Sequence, residues 1–293
     1  MRMTDFAARR AALAARLRAR QFTVVPGIYD MISAKLADRA GFPVLYMTGY
    51  GTVASLLGLP DAGLATYTEM VERAGRFAQG ISVPLIADGD TGYGGLLNMR
   101  HTVRGYEAAG VAAIQIEDQE FPKKCGHTPG KRVVPLKEAV RRIEVAVDSR
   151  SSADFLIVAR TDARAPLGLD EALRRAEAFD RAGADVIFLE APESEDEIAA
   201  TLKVTSKPVL LNLVEGGKTP ILPPDRLRTL GVTIALHPAA GFLAAGEALR
   251  RGYAALAERE TTLDLPVPLH DFRAFGELMG FPDVWAFDAR WAE

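Results

Sequence analysis

The sequence contains a single cysteine, so no disulfide can form within the chain. Proteins without disulfides are typical of reducing compartments, and we predict a cytoplasmic location. Long apolar runs are also missing, so the sequence predicts no membrane-spanning helix. Basic charge is not in surplus, because 35 Lys and Arg face 38 Asp and Glu. The composition therefore indicates neither a nucleic-acid partner nor a membrane partner.

Apolar residues make up 48% of the 293 positions, which is enough for a globular protein with one large core. Residues 1–20 are rich in Ala and Arg but lack the apolar core of a signal peptide, and we predict a structural helix there. Further along, short runs rich in Val, Ile and Leu recur, and most are continuous rather than alternating. This pattern is typical of parallel strands covered on both faces. The eight runs are residues 23–28, 44–48, 84–88, 112–117, 155–160, 185–190, 208–213 and 232–237.

Amphipathic stretches separate these runs, and a glycine follows each of them as a helix-terminating residue. The stretches are residues 30–40, 66–79, 98–109 and 170–182, followed by Gly41, Gly80, Gly110 and Gly183. Asp170 is the predicted N-cap of the last stretch. Eight alternating βα units predict an α/β protein, a closed (β/α)8 TIM barrel with extra helices at both termini. A doubly wound sheet is the alternative, but no G-x-G-x-x-G follows the first strand.

We expect one barrel domain over residues 1–293, in which residues 268–293 form a C-terminal helical extension. This extension is rich in aromatic side chains, which need an apolar surface to cover them. Two surfaces are possible for covering these aromatic side chains. The extension packs either on its own barrel or, by exchange, on a neighbouring subunit.

Charged side chains stand at the carboxyl ends of successive predicted strands, where (β/α)8 barrels carry their catalytic groups. Asp88 and Asp90 are two residues apart and would point the same way, beside Glu117 of the following strand. Such carboxylates repel one another unless a cation neutralises them. Mg²⁺, or Mn²⁺, suits a few hard oxygens on an open face. The alternative is that Asp88 or Asp90 caps a helix or pairs with a Lys or Arg.

The long segment 119–135 follows the fourth strand and is predicted to be a mobile lid, since βα loops of this length are commonly lids or binding loops. It holds Cys125 among Lys123, Lys124 and His127. Neighbouring cations lower the pKa of a thiol, so we expect Cys125 to exchange a proton at neutral pH. The alternative is a buried apolar cysteine beside a solvated basic loop. No second ligand lies at zinc spacing.

Other side chains near the strand ends are candidates for contact with a substrate. Arg160 suits a bidentate clamp on a carboxylate, although a salt bridge to Glu190 or Asp162 is the alternative. His127 could orient the thiol or hold a carboxylate. Tyr46 could stabilise an oxyanion or simply fill the top of the barrel.

These segments resemble the isocitrate lyase and phosphoenolpyruvate mutase superfamily over nearly the whole chain. The matching segments are residues 26–30, 88–94, 116–119, 123–127, 159–163, 189–191 and 212–217. The Lys-Lys-Cys-Gly-His run at 123–127 is the most specific, and it resembles the lyase branch, which includes 2-methylisocitrate and 2,3-dimethylmalate lyases.

The resemblance implies a Mg²⁺-dependent lyase that splits a carbon–carbon bond of a 2-alkylmalate or a 2-methylisocitrate-like acid, giving a 2-oxo acid and a carboxylate. It implies a di- or tricarboxylate substrate and a homotetramer. Alternatives are an oxaloacetate hydrolase or decarboxylase, phosphonate chemistry of the carboxyphosphonoenolpyruvate mutase type, and a barrel retained only for binding.

The same resemblance implies roles for individual residues. The implied catalytic residues are Cys125, Tyr46, Arg160, His127, Lys123 and Glu190. The implied substrate-binding residues are Thr48, Gly49, Tyr50, Gly126, Arg160, Asn212 and Pro238. The implied metal shell is Asp88 with Asp61, Asp90 and Glu117. Tyr50 is bulkier than the residue of methylisocitrate lyases at this place and is expected to reshape the pocket, whereas Pro238 matches the lyase pattern.

Overall fold

Eight short parallel strands form the centre of the protein in the computed structural model, which describes residues 5–126, 128 and 130–292. Seven of them lie within the predicted apolar runs, and β5 extends one residue beyond its run 155–160. The strands are β1 (Thr23–Ile28), β2 (Leu45–Met47), β3 (Leu85–Asp88), β4 (Ala113–Glu117), β5 (Leu156–Thr161), β6 (Val186–Leu189), β7 (Leu210–Asn212) and β8 (Ile234–His237).

The strands pair in the order β6-β5-β4-β3-β2-β1-β8-β7, and every pair is parallel. A further parallel bridge between Ile187 and Val209 connects the two ends of this order. The sheet therefore closes on itself, and the predicted (β/α)8 barrel is confirmed.

Helices connect the strands, and further helices precede β1 and follow β8 in the chain. They are α1 (Phe6–Arg18), α2 (Met31–Arg39), α3 (Gly49–Leu57), α4 (Tyr67–Gly80), α5 (Leu96–Ala108), α6 (Leu136–Ser149), α7 (Arg164–Leu167), α8 (Leu169–Arg181), α9 (Glu195–Lys203), α10 (Pro224–Leu230), α11 (Ala240–Arg259), α12 (Phe272–Met279) and α13 (Phe281–Trp291). None of the helices in the described part of the chain is long and apolar enough to cross a membrane.

Two layers of apolar packing surround the strands, because successive side chains of a strand point to opposite faces. One cluster lies inside the barrel and includes Val25, Ile86 and Val158. Leu13 and Leu17 of the predicted N-terminal helix belong to this same inner cluster. The alternate strand residues pack outward against the helices in a second cluster.

Most of the predicted helix ends are confirmed. Gly41, Gly110 and Gly183 follow α2, α5 and α8 with φ of 85°, 94° and 93°, a conformation that favours glycine. Helix α4 also ends at the predicted glycine, but Gly80 is its last residue and Ile81 is the C-cap.

The prediction of Asp170 as an N-cap was wrong. It lies in the first turn of α8, and Gly168 is the N-cap, with φ 90° and ψ 172°. This conformation is available to glycine and strained for other residues, so it fixes the N-cap two residues before the predicted one.

The chain divides into two compact units, Met1–Gly241 and Phe242–Glu293. The first contains all eight strands. The second contains α12 and α13, so helices do form in the predicted extension. Several of their aromatic side chains are exposed, among them Phe272, Trp285, Phe287 and Trp291.

Candidate active site

The carboxyl ends of six strands direct polar side chains into the barrel. The inner cluster contains Ile86 and Val158, and a step of two residues along each strand leads to Asp88 and Arg160. The same step applied to the other strands gives the remaining members of the set. The six side chains are Tyr46, Asp88, Glu117, Arg160, Glu190 and Asn212, and all are buried. Because side chains two residues apart on a strand point the same way, these six predicted residues lie together at one end of the barrel.

Asp88 is held by hydrogen bonds on one carboxylate oxygen. Its Oδ1 accepts from the backbone N–H of Asp90 at 3.0 Å and from Nε2 of Gln115 at 3.1 Å. The hydroxyl of Tyr46 donates to the other end of the Gln115 amide. Gln115 thus connects Tyr46 with Asp88, a role that our sequence analysis missed.

Tyr46 keeps its proton at neutral pH. Burial, and then the charge of Asp88, raise the pKa of its hydroxyl well above the ordinary value. A group of this kind donates a hydrogen bond and does not act as a base. Because its one hydroxyl proton is donated to Gln115 here, a contact of Tyr46 with a developing oxyanion stays a prediction.

Lys123 is a buried cation between two carboxylates. Its Nζ lies 2.5 Å from Asp61 Oδ1 and 2.6 Å from Asp90 Oδ1. Burial alone would lower the pKa of Lys123, but the attraction of Asp90 and Glu117 outweighs it and raises the pKa well above the usual range. The alternative of an ion pair between Asp90 and a lysine is therefore realised.

The carboxyl groups of this cluster hold their protons more tightly than usual. Burial is the largest cause, and it raises the pKa of Asp90 to about 7 despite the charge of Lys123. Burial also raises the pKa of Asp88, and it raises that of Glu117 well above the usual range. Burial therefore favours the neutral form of these carboxyl groups, and a cation bound among them would favour the ionised form.

Arg160 is surrounded by carboxylates. Its Nε and Nη2 donate to both oxygens of Asp162 at 2.8 and 3.0 Å, while Glu117 and Glu190 lie at 3.5 and 3.7 Å. Its guanidinium carbon lies 5.1 Å from the ring centroid of Phe188, a cation–π contact. The salt bridge to Asp162, which was the alternative to a substrate-binding role for Arg160, is thus present. Asp162 occupies one edge of the guanidinium.

The long loop between β4 and α6 is closed over the strand ends. The first and last residues of the loop pair with each other. The N–H of Glu120 donates to the Arg132 carbonyl at 2.9 Å, and Gln119 forms an antiparallel bridge with Val133. The N–H of Cys125 donates to the Asp61 carbonyl at 3.1 Å.

Gly126 has no room for a side chain, because a Cβ there would overlap both Glu190 and Arg160. The loop therefore brings the residue next to Cys125 into direct contact with two of the barrel side chains. His127 lies outside the described residues.

The remaining predicted residues lie on three other elements. Helix α3 begins at Gly49 with Thr48 as its N-cap, and a Cβ on Gly49 would overlap Asp88 Oδ2. The Nδ2 of Asn212 lies 3.3 and 3.2 Å from the two carboxylate oxygens of Glu190. Tyr50 is 44% exposed.

Pro238 lies against the backbone of Gly27, where a Cβ on the glycine would overlap the proline carbonyl. Its contact with a substrate stays a prediction.

Residues outside our predicted set hold the site residues through hydrogen bonds. Asp118 accepts from the Thr161 hydroxyl at 2.7 Å, from the Asp162 N–H at 2.9 Å and from Nη1 of Arg175 at 2.9 Å. Lys131 is buried and donates to Asp162 Oδ1 at 2.8 Å. No local pattern identifies these partners, since they are distant in the chain.

Comparisons with known proteins agree on one family. The model of the phosphoenolpyruvate phosphomutase family matches residues 13–257. The chain is 46% identical over 268 residues to 2,3-dimethylmalate lyase of Eubacterium barkeri, covering 92% of this chain and 93% of the relative. It is 39% identical over 265 residues to 2-methylisocitrate lyase of Bacillus subtilis (strain 168), covering 90% and 86%. A structure of oxaloacetate acetylhydrolase with the inhibitor 3,3-difluorooxalacetate superimposes with a TM-score of 0.90 at 36% identity, covering 97% of both chains.

Proposed function

The chain belongs to the isocitrate lyase and phosphoenolpyruvate mutase superfamily and is a carbon–carbon lyase, and from this premise we propose that it cleaves a 2-alkylmalate or 2-methylisocitrate-like acid. The observation that carries the proposal is the closed loop, with Cys125 tied to Asp61 and Gly126 against Arg160 and Glu190. This arrangement places the residue that carries the thiol beside buried charged side chains, where a carbanion would need a proton donor and protection from water.

The substrate's carboxylates have two sets of partners in this proposal. One carboxylate meets the N-terminus of α3 at Thr48, Gly49 and Tyr50, where the first backbone N–H groups of a helix are without helical acceptors. The distal carboxylate meets Asn212. Arg160 and Glu190 line the space between them.

A divalent cation fits the charge of the site. The buried carboxylates (Asp61, Asp88, Asp90, Glu117, Asp162 and Glu190) outnumber the buried cations (Lys123, Lys131 and Arg160). Among residues 5–126, 128 and 130–292, no three His, Cys, Asp or Glu side chains stand at coordinating spacing. This arrangement suits Mg²⁺, which uses one or two carboxylates together with water and substrate oxygens. Mn²⁺ has similar preferences.

We assign the metal site to Asp88, with Asp90, Glu117 and Asp61 around it. Bound there, Mg²⁺ would supply Lewis-acid stabilisation of negative charge on the oxygens of the forming 2-oxo acid. The Tyr46 hydroxyl donates to Gln115, whose amide donates to Asp88, so Tyr46 helps to orient this carboxylate. The raised pKa of Tyr46 excludes it as the base, so a carboxylate of this cluster takes the proton of the substrate hydroxyl.

Cleavage then proceeds as a retro-aldol reaction. Loss of the hydroxyl proton forms the carbonyl of the 2-oxo acid, and the electrons of the broken carbon–carbon bond remain on the carbon next to the second carboxylate. The Cys125 thiol protonates that carbon, and the closed loop excludes water, which would otherwise supply the proton from any direction. Lys123 and Arg160 supply positive charge around the reacting groups. From its place in the motif, we propose that His127 orients the thiol or holds a carboxylate.

A substrate panel tests the proposal directly. Purified protein with Mg²⁺ is incubated with 2,3-dimethylmalate, 2-methylisocitrate or oxaloacetate, and the 2-oxo acid product is measured with lactate dehydrogenase. We expect 2-oxo acid from one of the first two acids. Consumption of oxaloacetate alone would refute the lyase proposal.

Oxaloacetate hydrolysis is the second candidate, because the superposition on oxaloacetate acetylhydrolase extends over 97% of both chains. In that case oxalate and acetate would form without any 2-oxo acid.

The family model also leaves phosphonate chemistry of the mutase type as a third candidate. Adding a phosphonate substrate to the panel tests it.

Metal binding should stabilise the protein, and more so at higher pH. Asp90 has a pKa of about 7 in the folded chain, above its value of 3.8 in an unfolded chain. Without metal, its contribution to folding is therefore lost as pH rises from about 4 through 7, where the buried carboxyl must ionise. Mg²⁺ competes with that proton. We expect saturating Mg²⁺ to raise Tm by roughly 5 °C at pH 8 and by much less at pH 5.5. Equal shifts at both pH values, measured by differential scanning calorimetry, would contradict this site.

The exposed aromatic side chains of the second unit indicate a partner surface, and we propose a homotetramer in which these helices are exchanged. Phe272 is 92% exposed and Trp291 64%, values that apolar side chains seldom have in a finished assembly. Light scattering after gel filtration should give a tetramer, and Trp285→Glu with Phe287→Glu should give smaller species. A wild-type monomer would refute the proposal.

A reducing cytoplasm is the compartment we propose, since an active thiol must stay reduced.

A further inference from the structure

Lys131 lies at the far end of the long loop from Lys123 and has no place in the proposed chemistry. Only 2% of its side chain is exposed. A buried ammonium is unfavourable unless it is paired, so its position requires acceptors. It has two of them, the carbonyl of Gly126 and, at 2.8 Å, Oδ1 of Asp162.

These two acceptors belong to different parts of the protein. Gly126 follows Cys125 in the loop, whereas Asp162 follows β5 in the barrel. On the other side of the thiol, the Cys125 N–H donates to the Asp61 carbonyl at 3.1 Å. The backbone around Cys125 is therefore held at two points, at the Cys125 N–H by the Asp61 carbonyl and at the Gly126 carbonyl by Lys131, which also pairs with Asp162.

The barrel end of this attachment is rigid. Asp162 accepts two hydrogen bonds from Arg160, and its own N–H donates to the buried carboxylate of Asp118 at 2.9 Å. Burial would raise the pKa of Asp162, but Arg160 and Lys131 outweigh it and lower the pKa to about 2, so the acceptor is ionised at neutral pH.

We propose that Lys131 is a positioning residue that latches the loop in its closed state, by joining the Gly126 carbonyl to the Asp162 carboxylate that also holds Arg160. The latch rests on the proposed function, in which Cys125 must lie over the substrate. Because Asp162 binds both cations, closure of the loop and the orientation of Arg160 depend on one carboxylate. Lys131 does not touch the reacting atoms.

The rate of alkylation of Cys125 by iodoacetamide tests the latch, since the chain has no other cysteine. In Lys131→Met the loop should open more often, and the alkylation rate should rise about 10-fold, the effect of losing one charge-assisted hydrogen bond. We expect kcat to fall by a similar factor with a smaller change in KM. Lys131→Arg, which keeps the charge and its donors, should restore slow alkylation.

Arg132→Met is the matched control, because it removes the neighbouring cation, which is 77% exposed and pairs with Glu120. It should alkylate at the wild-type rate. A wild-type rate in Lys131→Met, or equal acceleration in Arg132→Met, would overturn the latch. If Lys131→Met does not fold, Lys131→Gln provides the same comparison, with circular dichroism to confirm the fold, and a wild-type rate there would be equally contrary.

Alkylation does not depend on the reaction, so the latch and the proposed function fail in different ways. An active Cys125→Ser protein would refute the acid role of the thiol and leave the alkylation result standing. An inactive Cys125→Ser protein together with an unchanged alkylation rate in Lys131→Met would refute the latch alone.

Discussion

Cys125→Ser should reduce kcat for lyase cleavage by about 10²- to 10⁴-fold, the range that a positioned general acid contributes. A serine hydroxyl nearly matches the thiol in size but releases its proton far less readily. Protonation of the carbanion would therefore depend on water and be slower. Steady-state kinetics on the 2-oxo acid product measure the effect.

The metal site should be unaffected in this variant, because the carboxylates around Asp88 are untouched. The Mg²⁺-dependent rise in Tm is therefore its internal control. Full activity in Cys125→Ser would exclude the thiol as the proton donor, and loss of the Mg²⁺ effect would mean that the substitution disturbed more than the acid.

Gly126→Ala should lower kcat/KM by about 10²-fold although every proposed catalytic side chain remains. The new Cβ would overlap Glu190 and Arg160, so the loop could not reach the closed position seen here. Alkylation of Cys125 should become faster at the same time, because an open loop exposes the thiol.

Gly95→Ala is the matched control for this steric argument. Gly95 precedes α5, and a Cβ there would meet nothing within 4 Å. Its kinetics and alkylation rate should equal those of the wild type. If Gly126→Ala retains wild-type activity, closure against Arg160 and Glu190 is not needed for the reaction.

The barrel and its polar rim follow from local patterns in the sequence. The run 23–28 coincides with β1, and all eight runs overlap strands. Because the inward register repeats every two residues, the side chains at the strand ends must meet, and Tyr46, Asp88 and Glu117 do so. The same rule would have found Gln115, which is two residues before Glu117 on β4.

The partners of the long loop could not be predicted in this way. Lys131 and Asp162 are 31 residues apart, and Lys123 reaches back to Asp61. Such contacts depend on how the loop folds over the barrel, and no periodicity encodes that. The one wrong helix cap has a local cause, since Gly168 rather than Asp170 adopts the capping conformation.

Cleavage of 2,3-dimethylmalate in D₂O tests most directly whether the loop delivers a proton to a carbanion inside a closed pocket. The products would be pyruvate and propionate, and NMR analysis of the propionate reports how its second carbon was protonated. We predict one deuterium of a single configuration with the wild-type protein, and loss of that turnover in Cys125→Ser. Propionate deuterated on both faces by the wild type, or stereospecific product at an undiminished rate from Cys125→Ser, would contradict the account.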